Sequence, residues 1–308
     1  MTGSIQKTIL STADIARLFN VTETTVKRWA DEGTLKCQKT PGGHRKFEIR
    51  SVVDFAEKNN FEPAGALEII GDESLRSNIQ VAVLGRDFPV LVSAYLRRAL
   101  SPDRNGLFPL LSYLYQHCLQ LWELHDRVIR PAMHEIGERW SRGEVGINQE
   151  HRASYETLDA LAKLQLQIRI KPPSGHSVVC ATLGDELHEI GLRCAAYLFE
   201  SEGWESHYLG SRIPAEAVID AIHRRRPDVL CLSATCGAGP DPRSEFRKIA
   251  DAAVSAGAFV LAGGAHAALL VAGEPAVQAS CNSSQDLLCY IQGFDRTGPG
   301  CNPGAAPM

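Results

Sequence analysis

VVCATLGDELHEIG, residues 178–191, changes character halfway. An unbroken apolar run ends at Leu183, a polar loop carries Glu186 and His188, and helical spacing follows from His188 to Ser201. A buried strand feeding a polar loop and then a helix is one βα unit. The same alternation recurs from residue 176 onward: apolar strands in SVVCATL, ESHYL, VLCLSAT and AFVLAGG are separated by helical stretches at His188–Ser201, Ala215–Arg225 and Pro242–Ala256. Repeated βα units predict a parallel sheet covered by helices. Ligands enter such a sheet at the carboxyl ends of its strands. Glu186, His188 and Gly191 stand at one such end, Ser233, Ala234 and Thr235 at a second, and Gly263 and Gly264 at a third. A lone histidine in a loop is most often a surface residue. Here a carboxylate stands two residues away, the arrangement that orients a metal-ligating imidazole and raises its basicity. Small residues at the other two strand ends leave room for something bulky. No GxGxxG follows the first strand and no acidic phosphoacceptor cluster occurs, which argues against a nucleotide-binding or receiver domain.

Working outward, Lys171 to Gly175 (KPPSG) reads as a linker. Before it, residues 75–168 show apolar residues three and four apart with few breakers, which predicts about four helices in an antiparallel bundle. After the sheet, DRTGPGCNPGAAPM is rich in Gly and Pro and reads as a disordered tail over 296–308. No apolar run approaches the ~18 residues of a membrane span, and the N-terminus lacks the apolar stretch of a signal peptide. The expectation is a cytoplasmic protein with no membrane partner. Nine cysteines without a CxxC, several inside apolar runs, read as reduced thiols.

The net charge of −4 is unevenly spread: residues 1–60 sum to +3 and the remainder to −7. A basic head on an acidic body suits an anionic partner such as nucleic acid. Ser11 or Thr12 can cap a first helix with Ile15, Leu18 and Phe19 on its buried stripe. Asn20 and Val21 make a tight turn, and Thr22 caps a second helix that turns Val26 and Trp29 inward. That leaves Thr24, Thr25, Lys27 and Arg28 toward solvent, the helix-turn-helix layout. Gly33 ends the helix, TPGGHRKF forms a hairpin tip flanked by His44, Arg45 and Lys46, and Ile49 to Lys58 is a third helix.

This combination resembles the winged-helix DNA-binding domain of MerR-type regulators over about residues 8–57. The resemblance implies operator DNA as partner, the second helix in the major groove and the wing on the backbone. The long dimerisation helix of metal-sensing MerR proteins is missing here, so oligomerisation must come from elsewhere.

The three strand ends resemble the cobalamin-binding domain of methionine synthase and adenosylcobalamin mutases, whose pattern is D-x-H-x-x-G, S-x-L and GG. The match covers about 173–295, with Glu186 in place of Asp and Thr235 in place of Leu. YLGSRIP at 208–214 also resembles that family's second-strand loop. The resemblance implies that His188 ligates cobalt from below, that Ser233 meets the displaced dimethylbenzimidazole, and that the glycines make way for the nucleotide tail.

Between head and sheet, Trp140 is followed after nine residues by Glu150 and His151. A Trp near a helix end is usually core. This W-x9-E-H spacing, however, resembles the CarH-type photoreceptors, which join the same head to the same cobalamin domain. The resemblance implies Trp140 over the upper axial group, with Glu150 and His151 at the adenosyl moiety. Those proteins commonly carry a His directly after the Trp; here it is Ser141.

The expected fold is therefore multidomain: a MerR-type winged helix-turn-helix (1–72), a four-helix bundle capping the cofactor (73–170), a Rossmann-like α/β cobalamin-binding domain (173–295) and the tail. The expected function is a light-responsive repressor. Adenosylcobalamin is the expected cofactor, with methylcobalamin or hydroxocobalamin as alternatives, and the dark form is a homo-oligomer, expected to be a tetramer. The competing readings are a light-independent cobalamin- or redox-sensing regulator and an enzyme-like corrinoid carrier. The DNA-binding head and the lack of a catalytic partner domain argue against the carrier.

Overall fold

The computed structural model describes residues 9–19, 21–48, 51–52, 55, 58–59, 73–101, 106–117, 119–235, 242–271, 277–295 and 298–299. The chain forms two compact units: Met1–Gln120 with Arg127–Ala160, and Leu121–Asp126 with Leu161–Met308. Among the described residues no helix is long and apolar enough to cross a membrane.

The first unit opens with β1 (Ile9–Ser11), α1 (Thr12–Leu18) and α2 (Glu23–Asp31). Ser11 and Asp14 cap α1 reciprocally: the Ser11 Oγ accepts from the Asp14 N–H at 3.2 Å, and Asp14 accepts from the Ser11 N–H at 2.9 Å. Thr22 caps α2 by accepting from the Thr25 N–H at 3.2 Å. Gly33, at φ +75°, closes α2 as its position predicts. The hairpin forms where it was expected, from β2 (Gln38–Lys39) and β3 (Arg45–Glu48), with Lys39 opposite Arg45. Strand β1 was not foreseen. It pairs with the other edge of β3, placing Leu10 opposite Phe47, and both side chains are buried. Ile15, Phe19, Val26, Leu35, Val52 and Phe55 complete this core, and the Trp29 ring lies 4.9 Å from that of Phe55. Of the predicted third helix, residues 51–52, 55 and 58 are helical; its other residues, Asn20 of the expected turn and the Leu18 side chain lie outside the described residues.

The helical region holds α3 (Glu73–Gly85), α4 (Phe88–Ala99), α5 (Phe108–Gln116), α6 (Leu121–Glu123), a π-helical stretch (Leu124–Ile129), α7 (Arg130–Ser141) and α8 (Ile147–Gln165). The expectation was four helices. Counted with α6, the π-helical stretch and α7 as one continuous helix, the described residues hold five; α3 sends Val81 and Leu84 into the winged-helix core. Pro131 does not break the chain's helical course. It sits in the first turn of α7, where no partner for its missing N–H is needed, directly after the widened stretch. Inside the first unit, the Tyr95 and Thr157 hydroxyls share a buried hydrogen bond at 2.5 Å, so α4 and α8 are joined by a satisfied polar pair within apolar packing.

The second unit is a parallel five-stranded sheet in the order β5-β4-β6-β7-β8. Its elements are β4 (Ser177–Thr182), α9 (Ile190–Ser201), β5 (Glu205–Gly210), α10 (Ala215–Arg225), β6 (Val229–Ser233), α11 (Pro242–Ser255), β7 (Phe259–Gly263), α12 (Ala267–Val271), β8 (Val277–Cys281) and α13 (Ser284–Gln292). Four strands and three helices fall where the alternation put them; β8 was missed. The expected tail needs one correction: Gly298–Pro299 pairs antiparallel with Phe294–Asp295, and the rest of 296–308 lies outside the described residues. Asp126 belongs to this unit and accepts the Ser284 and Gln285 N–H groups at 2.9 and 3.0 Å, satisfying the start of α13. This strand order reverses direction between β4 and β6, and in open α/β sheets a switch of this kind places the ligand crevice at the carboxyl edge.

Candidate functional site

Glu186 lies in that crevice with its side chain 1% exposed. Its Oε1 accepts from the His188 N–H at 2.8 Å and from the His188 Nδ1 at 2.5 Å. Its Oε2 accepts from the Thr235 N–H at 2.8 Å, which joins the loop after β4 to the end of β6. Three donors satisfy a buried carboxylate that would otherwise be costly. They also fix the imidazole: a ring that donates through Nδ1 carries its free lone pair on Nε2. That ring is 60% exposed.

The neighbouring loops hold this pair in place. The Thr182 Oγ1 donates to the Glu186 carbonyl at 3.3 Å, and the Arg212 N–H donates to the Thr182 Oγ1 at 3.2 Å. Arg212 itself sits at φ +53°, a left-handed conformation that costs a non-glycine residue about 1–3 kcal/mol. Thr182, Ser233 and Gly263 stand side by side at the ends of three adjacent strands. A Cβ on Gly191 would meet nothing within 4 Å, so the first turn of α9 borders open space. The two strand-end glycines have nearer reasons to be small. A Cβ on Gly264, at φ +99°, would lie 2.3 Å from the Ala234 carbonyl oxygen, and one on Gly263 would lie 3.2 Å from that of Cys281.

Two features here escaped the sequence reading. The Tyr208 hydroxyl donates to Glu189 at 2.6 Å while the Arg193 guanidinium stacks 3.5 Å from the Tyr208 ring centroid. His266 bonds the Thr235 carbonyl through Nδ1 at 2.5 Å. Only the strand-end position of the GlyGly pair could have drawn attention to the loop that carries it.

Among the described residues no three His, Cys, Asp or Glu side chains converge to hold a metal. A single oriented imidazole suits a metal that brings its remaining ligands with it. A corrinoid cobalt is of that kind, and the crevice fits it: an exposed Nε2 lone pair, and open space at Gly191.

The first unit presents the other predicted residues. Trp140, at the end of α7, is 49% exposed rather than buried. The turn after it is closed by bonds from the Gly143 N–H to the Trp140 carbonyl and from the Glu144 N–H to the Arg139 carbonyl, both at 2.9 Å. Ser141 donates to the Glu138 carbonyl at 2.7 Å. On α8, Glu150 accepts from the Ser154 hydroxyl at 3.0 Å and lies 3.5 Å from the His151 Nε2. His151 is exposed, as are Ile147 and Tyr155 one turn to either side.

On the helix-turn-helix, Thr24, Lys27 and Arg28 are exposed, and Lys27 and Arg28 lie 3.8 Å from Glu23 and Glu32. Thr25 departs from its expected exposure, being half-buried with its hydroxyl 3.0 Å from that of Thr22. His44 is exposed and Lys46 half-buried. Arg45 is not a free cation. Its Nη2 bonds both carboxylate oxygens of Asp31, at 2.6 and 2.8 Å, and ties the wing to the end of α2. That hydrogen bond holds the Asp31 carboxyl below its ordinary pKa.

Comparison with known proteins agrees with this division. Residues 9–60 match the family described as helix-turn-helix domain. Residues 94–164 and 176–279 each match a family described as B12 binding domain. The chain is 26% identical over 232 residues to the HTH-type transcriptional repressor CarH of Myxococcus xanthus, covering 71% of this chain and 76% of that protein. It is 28% identical over 131 residues to the repressor CarA of the same organism, covering 42% of each. Among solved structures, the Methanosarcina barkeri monomethylamine corrinoid protein superposes with a TM-score of 0.52 at 13% identity, over 64% of this chain and 93% of that one. That last likeness speaks to the fold.

Proposed function

We propose that this chain, a CarH-type B12-binding transcription regulator by its helix-turn-helix and two B12-binding domains, represses transcription in the dark and releases its operator in light. The observation that carries the cofactor assignment is the Glu186–His188 pair, with its Nδ1 bonded and its Nε2 free. His188 is assigned as the lower cobalt ligand, with Glu186 holding its ring. Gly191, Ser233, Thr235, Gly263 and Gly264 form the edge that receives the nucleotide tail. Trp140, Glu150 and His151 are assigned to the adenosyl group. Adenosylcobalamin supplies a cobalt–carbon bond that light can break.

The protein's part is differential binding. The DNA-competent oligomer, proposed to be a tetramer, must hold the cofactor more tightly than its alternatives do, or nothing shifts. Trp140 suits that part, because an aromatic side chain half in solvent gains contact area only when something covers it. Thr24, Lys27 and Arg28 face the major groove, while His44 and Lys46 flank the wing.

The test is gel filtration and operator binding of the adenosylcobalamin-loaded protein, in the dark and after green light. Dissociation of the oligomer with loss of DNA binding is expected. An unchanged elution volume would remove the light response and leave cobalamin binding standing. Ser141 favours a second reading, a regulator that responds to cobalamin itself, because no imidazole directly follows Trp140 in the chain. That reading predicts equal DNA binding in dark and light, with dependence on cofactor concentration.

A further inference from the structure

His266 stands two residues after the GlyGly pair at the end of β7, and no family pattern considered above includes it. Its Nδ1 reaches the Thr235 carbonyl at 2.5 Å, and its backbone N–H donates to the Ala234 carbonyl at 3.0 Å. One peptide group earlier, the Ala234 N–H donates to the Gly263 carbonyl at 2.8 Å. The close approach requires Gly264, whose Cβ would collide with Ala234. The 234–235 segment is thus held by the loop that carries His266. Thr235 in turn gives its N–H to Glu186 Oε2, and Glu186 Oε1 takes the His188 Nδ1. The connection from His266 to His188 runs imidazole, Thr235 backbone, carboxylate, imidazole, with the Thr235 carbonyl and N–H in the two peptide groups that flank its Cα.

We propose that His266 is a positioning residue for His188, acting through the backbone of Thr235 and the Glu186 carboxylate. The proposal rests on the reading of His188 as the cobalt ligand. A carbonyl oxygen can only accept, so His266 must donate through Nδ1, and its tautomer is thereby fixed with the lone pair on Nε2. The Ala234–Thr235 peptide is bonded at both ends, its carbonyl to the His266 N–H and its N–H to Glu186, and the imidazole on the Thr235 carbonyl fixes the next peptide, so Thr235 presents its N–H in one orientation. Glu186 then has one oxygen engaged by Thr235 and the other turned to His188. Removing the imidazole frees the Thr235 carbonyl and lets Glu186 and the His188 ring rotate out of line. Outer partners of this kind set how well a ligand presents its lone pair.

The test loads wild type, His266→Ala and His266→Asn with cob(II)alamin and reads the electron paramagnetic resonance spectrum, in which one axial nitrogen splits the cobalt lines. Asn places an amide donor at nearly the reach of Nδ1. His266→Ala is expected to lower the ratio of nitrogen-bound to unbound cobalt about five-fold, the worth of one neutral hydrogen bond, and His266→Asn to restore it. A wild-type ratio in His266→Ala overturns the proposal. So does an Asn variant as impaired as Ala, which would mean that ring bulk alone matters. Nitrogen-15 shifts of the apoprotein give a reading that needs neither variant: the Nδ1–H tautomer is expected at His266, and an Nε2–H tautomer overturns the proposal. If His188→Ala keeps the nitrogen splitting, the failure lies with the cobalt-ligand reading and takes this proposal with it. If that control loses the splitting and the His266 variants do not, the failure is the proposal's own.

Discussion

Glu186 with His188 and Glu150 with His151 put the same two residue types almost adjacent in the chain, in two opposite settings. At the sheet edge the carboxylate is buried, accepts three N–H groups, and meets its histidine at 2.5 Å. On α8 the carboxylate is a quarter exposed, shares itself with Ser154, and lies 3.5 Å from a histidine that is 72% exposed. Solvent-exposed ion pairs of the second kind are worth little and do not hold a geometry. The first pair is fixed by the fold itself, whereas the second is not. The difference follows from the backbone: a strand-end loop can wrap a carboxylate with N–H groups, and a helix, whose N–H groups are already used, cannot.

The strongest way to break this contrast is Gly264→Ala. If the sheet edge is as rigid as its bonds imply, the added methyl cannot be absorbed beside Ala234, and denaturant unfolding should show a loss of about 3 kcal/mol. A loss under about 1 kcal/mol would mean that the edge yields. Next comes Glu186→Ala, expected to weaken hydroxocobalamin binding about 10- to 100-fold by titration, as loss of a ligand's outer partner does. Glu150→Ala should leave hydroxocobalamin affinity near wild type, since no adenosyl group is there to contact. Equal losses in the two variants would erase the contrast.

A third histidine sharpens it. His125 is fully buried with no partner for either ring nitrogen among the described residues, and burial pushes its pKa down to about 3. The unfolded chain takes up that proton near the ordinary value of 6.5, so this residue's drain on stability is absent above it and grows as pH falls toward 3. His125→Leu should flatten that acid slope and raise neutral-pH stability by about 1–2 kcal/mol in thermal or denaturant melts. An unchanged slope would place the imidazole in water.

Trp140→Ala is the smallest of these. A core Trp costs about 3–5 kcal/mol on truncation. This half-exposed one should cost the apoprotein under about 1 kcal/mol while weakening adenosylcobalamin binding. A core-sized loss of apoprotein stability would move Trp140 from ligand surface to core.

Much of this was legible. The period of Ala215–Arg225 marks α10 to the residue, because one apolar face in 3.6 is a signal that side chains carry directly. Glu186 and His188 were findable because strand, loop and helix follow in order. β8 was missed because VQASC, though it alternates, is only five residues long and its apolar positions after Val277 are the small Ala279 and Cys281. Trp140 was open to a core reading because composition does not tell which side of a helix end is covered. His266 left no trace, since its bond is to a backbone carbonyl 31 residues away and carbonyls have no spelling. Arg45 was read as a free cation for a similar reason: counting charges does not show that Asp31, 14 residues earlier, folds beneath it.

That last pairing bears on how salt will act on DNA binding. A cation that neutralises a phosphate releases a condensed counterion, and each such contact adds about 0.9 to the slope of log affinity against log salt. On the proposed reading Arg45 would reach the DNA backbone already matched by Asp31, and so would displace little on arrival. Its contribution is to the shape the wing offers the groove, and the ionic-strength dependence of the complex will be written by other cations.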